Sequence, residues 1–171
     1  MCEDEILAVE GSNLSIIRRY YNGCTSGDLD LLHSILHSDV VHYFLAPNVG
    51  SKPVEGREHL ARYWRKVTRA IDARWVVDQA VTMGDQTVIE WTMFWRPKPN
   101  AQRIATRGAE WFVFRDGLIF EIRSYYQQRN ESTELDAFDY SGRGYSTLNS
   151  ESSAVHCDAH EFAAPKQSES P

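Results

Sequence analysis

The sequence predicts an α+β domain in which three N-terminal helices pack on a curved, mostly antiparallel sheet. Three observations lead there. Apolar residues recur at helical spacing in the part of the chain before Arg74. From Arg74 onward the pattern changes to four extended segments rich in aromatic and β-branched residues, separated by turn signals. The 171 residues, 42% hydrophobic and 12% aromatic, suffice for one hydrophobic core and point to a single domain.

The elements follow in order. Ser12 or Asn13 is placed to cap a first helix whose Leu14, Ile17, Tyr21 and Cys24 share a face, and Gly27-Asp28 ends it. Leu29, Leu32 and Leu36, joined by Ile35, mark a second, short helix. Val40 to Leu45 reads as a strand, with Pro47-Asn48-Val49-Gly50 as its turn. After Gly56, a third helix carries Leu60, Trp64, Val67 and Ile71 on one side and an outward Glu58–Arg62 pair. The extended segments are Trp75–Met83, Thr87–Trp95, Ile104–Phe114 and Leu118–Tyr126. Gly84-Asp85, Pro97-Lys98-Pro99-Asn100 and Asp116-Gly117 separate them, the last a strong hairpin signal.

Residues 1–12 are expected to form an N-terminal tail, 13–128 the domain, and 129–171 an acidic, mostly irregular tail. Charge supports that division. Residues 1–130 hold 16 acidic and 16 basic residues, and 131–171 hold 8 against 2, which accounts for the whole net charge of −6. Tyr140, Tyr145 and Phe162 would let part of the tail lie across the domain.

A balanced core without a long Lys/Arg run argues against nucleic acid as a partner, and Arg62, Arg65, Lys66 and Arg69 fit the wet side of one helix. The longest apolar run, Trp91–Trp95, is far short of the ~20 residues that cross a bilayer. The acidic start Met1-Cys2-Glu3-Asp4-Glu5 is unlike a secretory signal, so a cytoplasmic location is expected. Cys2, Cys24 and Cys157 lack metal-ribbon spacing and form no disulfide framework. No Walker loop, Gly-x-Gly-x-x-Gly turn or Gly-x-Ser-x-Gly elbow occurs, so no cofactor is expected. His156, Cys157, Asp158 and His160 would make a metal site only if that segment were helical, and none is expected.

Arg19-Tyr20 followed by Gly27-Asp28 and Asp39, then Val49-Gly50-Ser51-Lys52-Pro53 with Gly56, resembles the ketosteroid-isomerase branch of the nuclear transport factor 2-like superfamily, with its SnoaL-like cyclases and limonene-epoxide hydrolases. Phe112-x-Phe114-x-Asp116-Gly117 and Arg123-Ser124-Tyr125-Tyr126 resemble the closing strands of many members. The resemblance covers roughly residues 13–128 and implies a cone-shaped α+β barrel with a mostly apolar cavity. It also implies a homodimer, to which an outer sheet face carrying Trp111 and Val113 adds.

On this likeness Glu110 stands where the isomerase has a protonated acid and Tyr20 where it has the tyrosine that polarises the substrate carbonyl. A carboxyl among aromatic rings has its neutral form favoured and can then donate a hydrogen bond. Tyr21, next along the helix, is expected to face elsewhere. The isomerase's aspartate base aligns with Phe44, which accepts no proton, while His42 lies on the same strand face and can serve as a general base. The epoxide hydrolase's charged residues fall near Trp91, Met93 and Ser124, which leaves no water-activating triad.

His42, Glu110 and Tyr20 are thus the candidate catalytic residues. Phe44, Trp64, Trp91, Met93, Trp95, Phe112, Ser124 and Tyr126 are the candidate wall of a site for a flat or polycyclic apolar ligand. Two functions stand open. One is a cofactor-independent isomerase, cyclase or dehydratase acting on a hydrophobic carbonyl compound; the other is a non-catalytic small-molecule-binding or dimeric interaction module, which Phe44 in place of the base favours.

Overall fold

Helical spacing in the first part of the chain and period-two alternation in the second produce two layers that bury each other's apolar faces. The computed structural model describes residues 3–48 and 50–149, with side chains from Asn13 onward. Cys2, Cys157, Phe162 and the His156–His160 cluster lie outside the described residues.

Helix α1 spans Glu3–Ser26, α2 Leu29–Ile35 and α3 Arg57–Ile71. Strands β1 (Leu36–Phe44), β2 (Val54–Glu55), β3 (Arg74–Met83), β4 (Gln86–Trp95), β5 (Ile104–Arg115) and β6 (Leu118–Tyr126) form one sheet in the order β2-β1-β6-β5-β4-β3. Only β1 and β6 run parallel. The sheet is mixed and open, with β2 and β3 as its edges, so the three helices on a curved sheet expected from the sequence are present without closure into a barrel. Edge strand β2 is two residues long and pairs with Val41 and His42 of β1. Register shifts at Leu36/Val41, Val77/Gln79 and Val113/Phe114 bend the sheet around the helices.

The first helix begins well before the expected cap at Ser12 or Asn13. Acidic residue types fill its first turn, where the helix dipole favours negative charge. Asn13 is instead a buried interior residue whose side-chain amide donates to the Gly84 carbonyl at 3.1 Å, tying α1 to the β3–β4 turn. Gly27 ends α1 at φ +69°, a left-handed conformation that suits glycine, and Asp28 then caps α2 by accepting from the Leu31 amide at 3.0 Å. Glu58 and Arg62 pair at 2.6 Å on the wet side of α3. No described helix is long and apolar enough to cross a membrane.

Ile17, Tyr20, Tyr21 and Cys24 of α1 and Leu60, Ala61 and Trp64 of α3 face the concave side of the sheet, where Ile89, Trp91, Phe112 and Ile122 complete the core. The convex side is covered in part by residues 132–146. Thr133 pairs with β5 through the Ala105 carbonyl and the Arg107 amide, at 3.0 and 3.2 Å. Arg107 then grips the segment: it donates to Glu134 at 3.0 Å and to the Ser146 carbonyl at 2.6 Å, and its guanidinium lies 4.0 Å from the Tyr140 ring centre. Asp78 accepts from the Ser146 amide at 2.7 Å, and Tyr145 donates to Glu90. Phe138, Tyr140 and Tyr145 pack edge to face on one another.

Thr92, Phe94 and Ala105 alternate onto this convex side and are nevertheless buried. Ending the chain after Asn130 removes the hydrogen bonds that β5, Arg107 and Asp78 make to this segment, at about 0.5–1.5 kcal/mol for each net bond. Ending it after Asn149 leaves the strap in place. Urea denaturation of the two truncated chains should show a lower midpoint for the first only; equal midpoints would mean that the strap adds nothing to stability.

Candidate functional site

Strand pairing sets the concave face in transverse rows. Thr87, Phe112, Ile122 and His42 are neighbours across β4, β5, β6 and β1; Ile89, Glu110, Ser124 and Phe44 form the next row, and Trp91, Gly108 and Tyr126 the one beyond. Ser124 is therefore directly opposite Glu110 and one step diagonal from His42. Tyr20 and Tyr21 reach the same rows from α1, with ring centres 5.2 Å apart. Adjacent helical residues point about 100° apart, within the width of a core-facing stripe, so both tyrosines are buried and Tyr21 does not turn away from the site as expected.

These side chains form one hydrogen-bonded chain. The Trp64 indole donates to Tyr20 Oη at 2.6 Å, Tyr20 Oη lies 3.3 Å from His42 Nδ1, His42 Nε2 lies 2.5 Å from Ser124 Oγ, and Ser124 Oγ donates to Glu110 Oε1 at 2.5 Å. Tyr21 donates to the other carboxylate oxygen, Oε2. The polarity of the chain follows from its ends, because an indole N–H only donates and a carboxylate only accepts. Tyr20 thus donates to Nδ1, and His42 carries its proton on Nε2 and donates it to Ser124.

Both oxygens of Glu110 have hydroxyl partners, Tyr21 Oη at Oε2 and Ser124 Oγ at Oε1. His42 Nε2 stands 3.6 Å from Glu110 Oε1, with Ser124 as the direct link. Burial first, then charge on nearby groups including Glu110, holds Tyr20 and Tyr21 well above the usual phenol range, so both stay donors. Burial likewise pushes the Cys24 thiol up.

Aromatic rings enclose the chain. Phe44 stacks on the His42 imidazole with centres 4.1 Å apart and planes 10° from parallel, and Trp64 covers it at 5.5 Å. Phe112 packs edge-on to Tyr20 at 5.8 Å. Trp91 meets Tyr126 at 5.4 Å. Met93 and Trp95 continue the β4 side of this wall, and the Trp95 indole donates to Thr106 at 2.9 Å. Burial, then Tyr63 and Glu110, raises the Tyr126 phenol. The wall becomes half-exposed at Tyr63 and Tyr126. There Asn48, just after the β1 strand, clasps the end of β6 by donating to the Tyr126 carbonyl at 2.7 Å and accepting from the Gln128 amide at 3.0 Å.

The structure thus brings His42, Glu110, Tyr20, Ser124, Trp64 and Phe44 together, whereas Trp91, Met93, Trp95 and Tyr126 lie one or more rows away along the same face. Sequence reasoning missed Tyr21 and Asn48. Tyr21 was legible as a member of the apolar face of α1; the role of Asn48 depends on a contact 78 residues away and had no local signal. A cleft of about 480 Å³ opens at the β1–β6 seam, lined by Tyr43, Phe44, Leu45, Ala46, Glu121, Arg123, Ser124 and Tyr125. Among the described residues no group of three or more His, Cys, Asp or Glu is placed to hold a metal ion.

A family model described as a SnoaL-like domain matches residues 17–122, more than half of the chain. The chain belongs to the SnoaL-like domain family. This places it in the nuclear transport factor 2-like superfamily. A protein of unknown function with a cystatin-like fold from Methylobium petroleophilum PM1 is similar at 32% identity, covering 81% of this chain and 93% of that one, with a TM-score of 0.62. A candidate SnoaL-like polyketide cyclase from Jannaschia sp. CCS1 is similar in fold, at 17% identity, covering 70% of this chain and 88% of that one, with a TM-score of 0.60. A candidate isomerase from Bacillus subtilis is similar at 16% identity, 68% and 92% coverage and a TM-score of 0.59. A comparison with curated proteins finds no match.

Replacing Tyr21 by Phe takes one donor from a buried carboxylate. A hydrogen bond to a charged group is worth about 1.5–3 kcal/mol, and Tyr21→Phe should lose stability in that range. Surface phenols such as Tyr43→Phe supply the control. Equal denaturation midpoints for Tyr21→Phe and the parent would show that Glu110 does not depend on this donor.

Proposed function

We propose that this SnoaL-like protein is a proton-transfer enzyme of the isomerase, cyclase or dehydratase type, acting on a hydrophobic, cyclic or polycyclic carbonyl compound held against the concave face. The observation that carries the reading is the buried chain linking His42 through Ser124 to Glu110. His42 Nε2 lies 3.6 Å from Glu110 Oε1, so a carboxylate stands beside the imidazole to pair with a proton that it takes up as a general base. Tyr20 touches the imidazole at Nδ1 and is positioned to deliver or receive the proton there. The cyclase and isomerase descriptions of two structural neighbours agree with this class of chemistry.

The test is deuterium exchange from D₂O into the α-position of an apolar cyclic ketone such as 2-tetralone, followed by proton NMR. The parent should accelerate exchange over buffer. His42→Ala should lose about 100-fold to 10,000-fold, and Glu110→Gln, which keeps the shape and removes the charge, should also lose activity. No acceleration by the parent across cyclic ketones that it binds would overturn the enzyme reading.

One observation favours a non-catalytic ligand-binding role. Both His42 nitrogens are bonded within the protein, and Phe44 covers a face of the ring. Binding without exchange is its signature. For either role we propose a homodimer. Tyr43, Leu45 and Tyr125 are 42%, 42% and 51% exposed beside the cleft at the β1–β6 seam, on the part of the sheet away from the strap contacts at Asp78 and Arg107. Sedimentation at micromolar concentration should give a species of twice the 19.6 kDa chain mass; a single-chain species would contradict it.

A further inference from the structure

Trp91 is 2% exposed, yet its indole nitrogen is buried without a hydrogen-bond partner. Its neighbours differ. Trp64, Trp95 and Trp111 donate their indole N–H to Tyr20, Thr106 and Gln86 at 2.6, 2.9 and 2.7 Å. An unpaired buried N–H costs roughly 1–3 kcal/mol, and such a group in a native protein calls for an explanation.

A second feature stands beside it. Gly108 lies mid-strand directly opposite Trp91, where glycine weakens a sheet. Its backbone is not in the left-handed region, so conformation does not call for glycine. Space does: a Cβ there would come within 2.4 Å of Trp91 Cζ2 and 2.8 Å of Cε2, the carbon bonded to the indole nitrogen. The missing side chain lets the indole lie over β5 toward Tyr126, which pairs with Gly108 from the other side. This row is adjacent to that of Glu110 and Ser124, a separation of roughly 7 Å along the strands. It is also the row that ends at the half-exposed Tyr126.

We infer that the Trp91 indole N–H is a ligand-positioning donor: it binds an oxygen acceptor, a carbonyl or enolate, on an apolar ring compound that enters this row beside the half-exposed Tyr126. The inference rests on reading the concave face as a ligand chamber, and does not depend on turnover. An acceptor held at Trp91 leaves the rest of a bicyclic ring to extend toward the Ser124–Glu110 row. The site then distinguishes an oxygenated ring from its hydrocarbon counterpart, because only the former satisfies the N–H.

The experiment uses 2-tetralone and tetralin, which share a ring skeleton and differ in the carbonyl. In a proton–nitrogen correlation spectrum of the full chain, the indole signal missing from Trp91→Phe identifies Trp91. Saturating 2-tetralone should move that signal downfield and tetralin should not. Trp91→Phe should weaken 2-tetralone binding about 2-fold to 13-fold, the range expected for one net hydrogen bond, while leaving tetralin binding unchanged. A Trp91 signal that stays in place, with the two compounds bound equally or neither bound, overturns the inference. Selective binding without deuterium exchange would uphold it while refuting the enzyme reading.

Discussion

A carboxylate buried among aromatic rings has to be solvated by the protein, and much of the interior is organised around doing so for Glu110. The cation in reach is a histidine, which carries charge only when protonated. Stabilisation therefore comes from hydroxyl donors, Tyr21 on one oxygen and Ser124 on the other, and the second passes the polarisation on to His42. A buried charge lacking these donors would cost several kcal/mol or would titrate away. The requirement reaches across the fold, for it brings α1 against β5, sets Ser124 opposite Glu110, and sends His42 inward from β1. Trp64 closes the far end, so helix α3 is tied to the same chain.

The sheet's two faces do different work for this arrangement. Its concave face holds rows of large side chains, and the bend introduced by the register shifts wraps them around the helices. The convex face is partly closed by a strap with little regular structure, held through Arg107, Asp78 and Glu90. Arg107 lies between Thr92 of the sheet and Glu134 and Ser146 of the strap, so one guanidinium joins both layers. The strap is built from polar clasps and an aromatic knot, which is how a polar, glycine-containing segment can be ordered without a helix or strand of its own.

Membership of the SnoaL-like family settles the architecture and leaves the chemistry to the site, since one such fold hosts many functions. Here Phe44, stacked on His42, takes no part in proton transfer, and the groups able to move a proton sit behind it. Catalysis by this network requires access past rings packed at ordinary stacking distance. A binding role requires only that the wall accept a ligand. The chemistry is therefore decided by how far Phe44 and the loop held by Asn48 yield to a bound molecule.

Local pattern determined a good deal by itself. The turn signals and alternation place β3, β4, β5 and β6 within a residue or so of their observed ends, because period two and Gly-containing turns are local properties. The same alternation turns Glu110, Phe112, Ser124 and Tyr126 to one face, and a two-residue step turns His42 with Phe44. Local pattern missed the long reach of α1, which starts at Glu3 and runs on through Ser12 and Asn13, where Asn13 makes a buried contact with Gly84 in place of a cap. It could not tell an open sheet from a closed one, which depends on which edges meet. Only the tertiary structure decided that Ser124 and Tyr21 meet Glu110, that Tyr21 joins Tyr20 in the site, and that Gly108 makes room for Trp91. Side-chain hydrogen bonds and the space above a glycine depend on partners distant in sequence, and those partners meet only when the sheet is registered and the helices are laid across it.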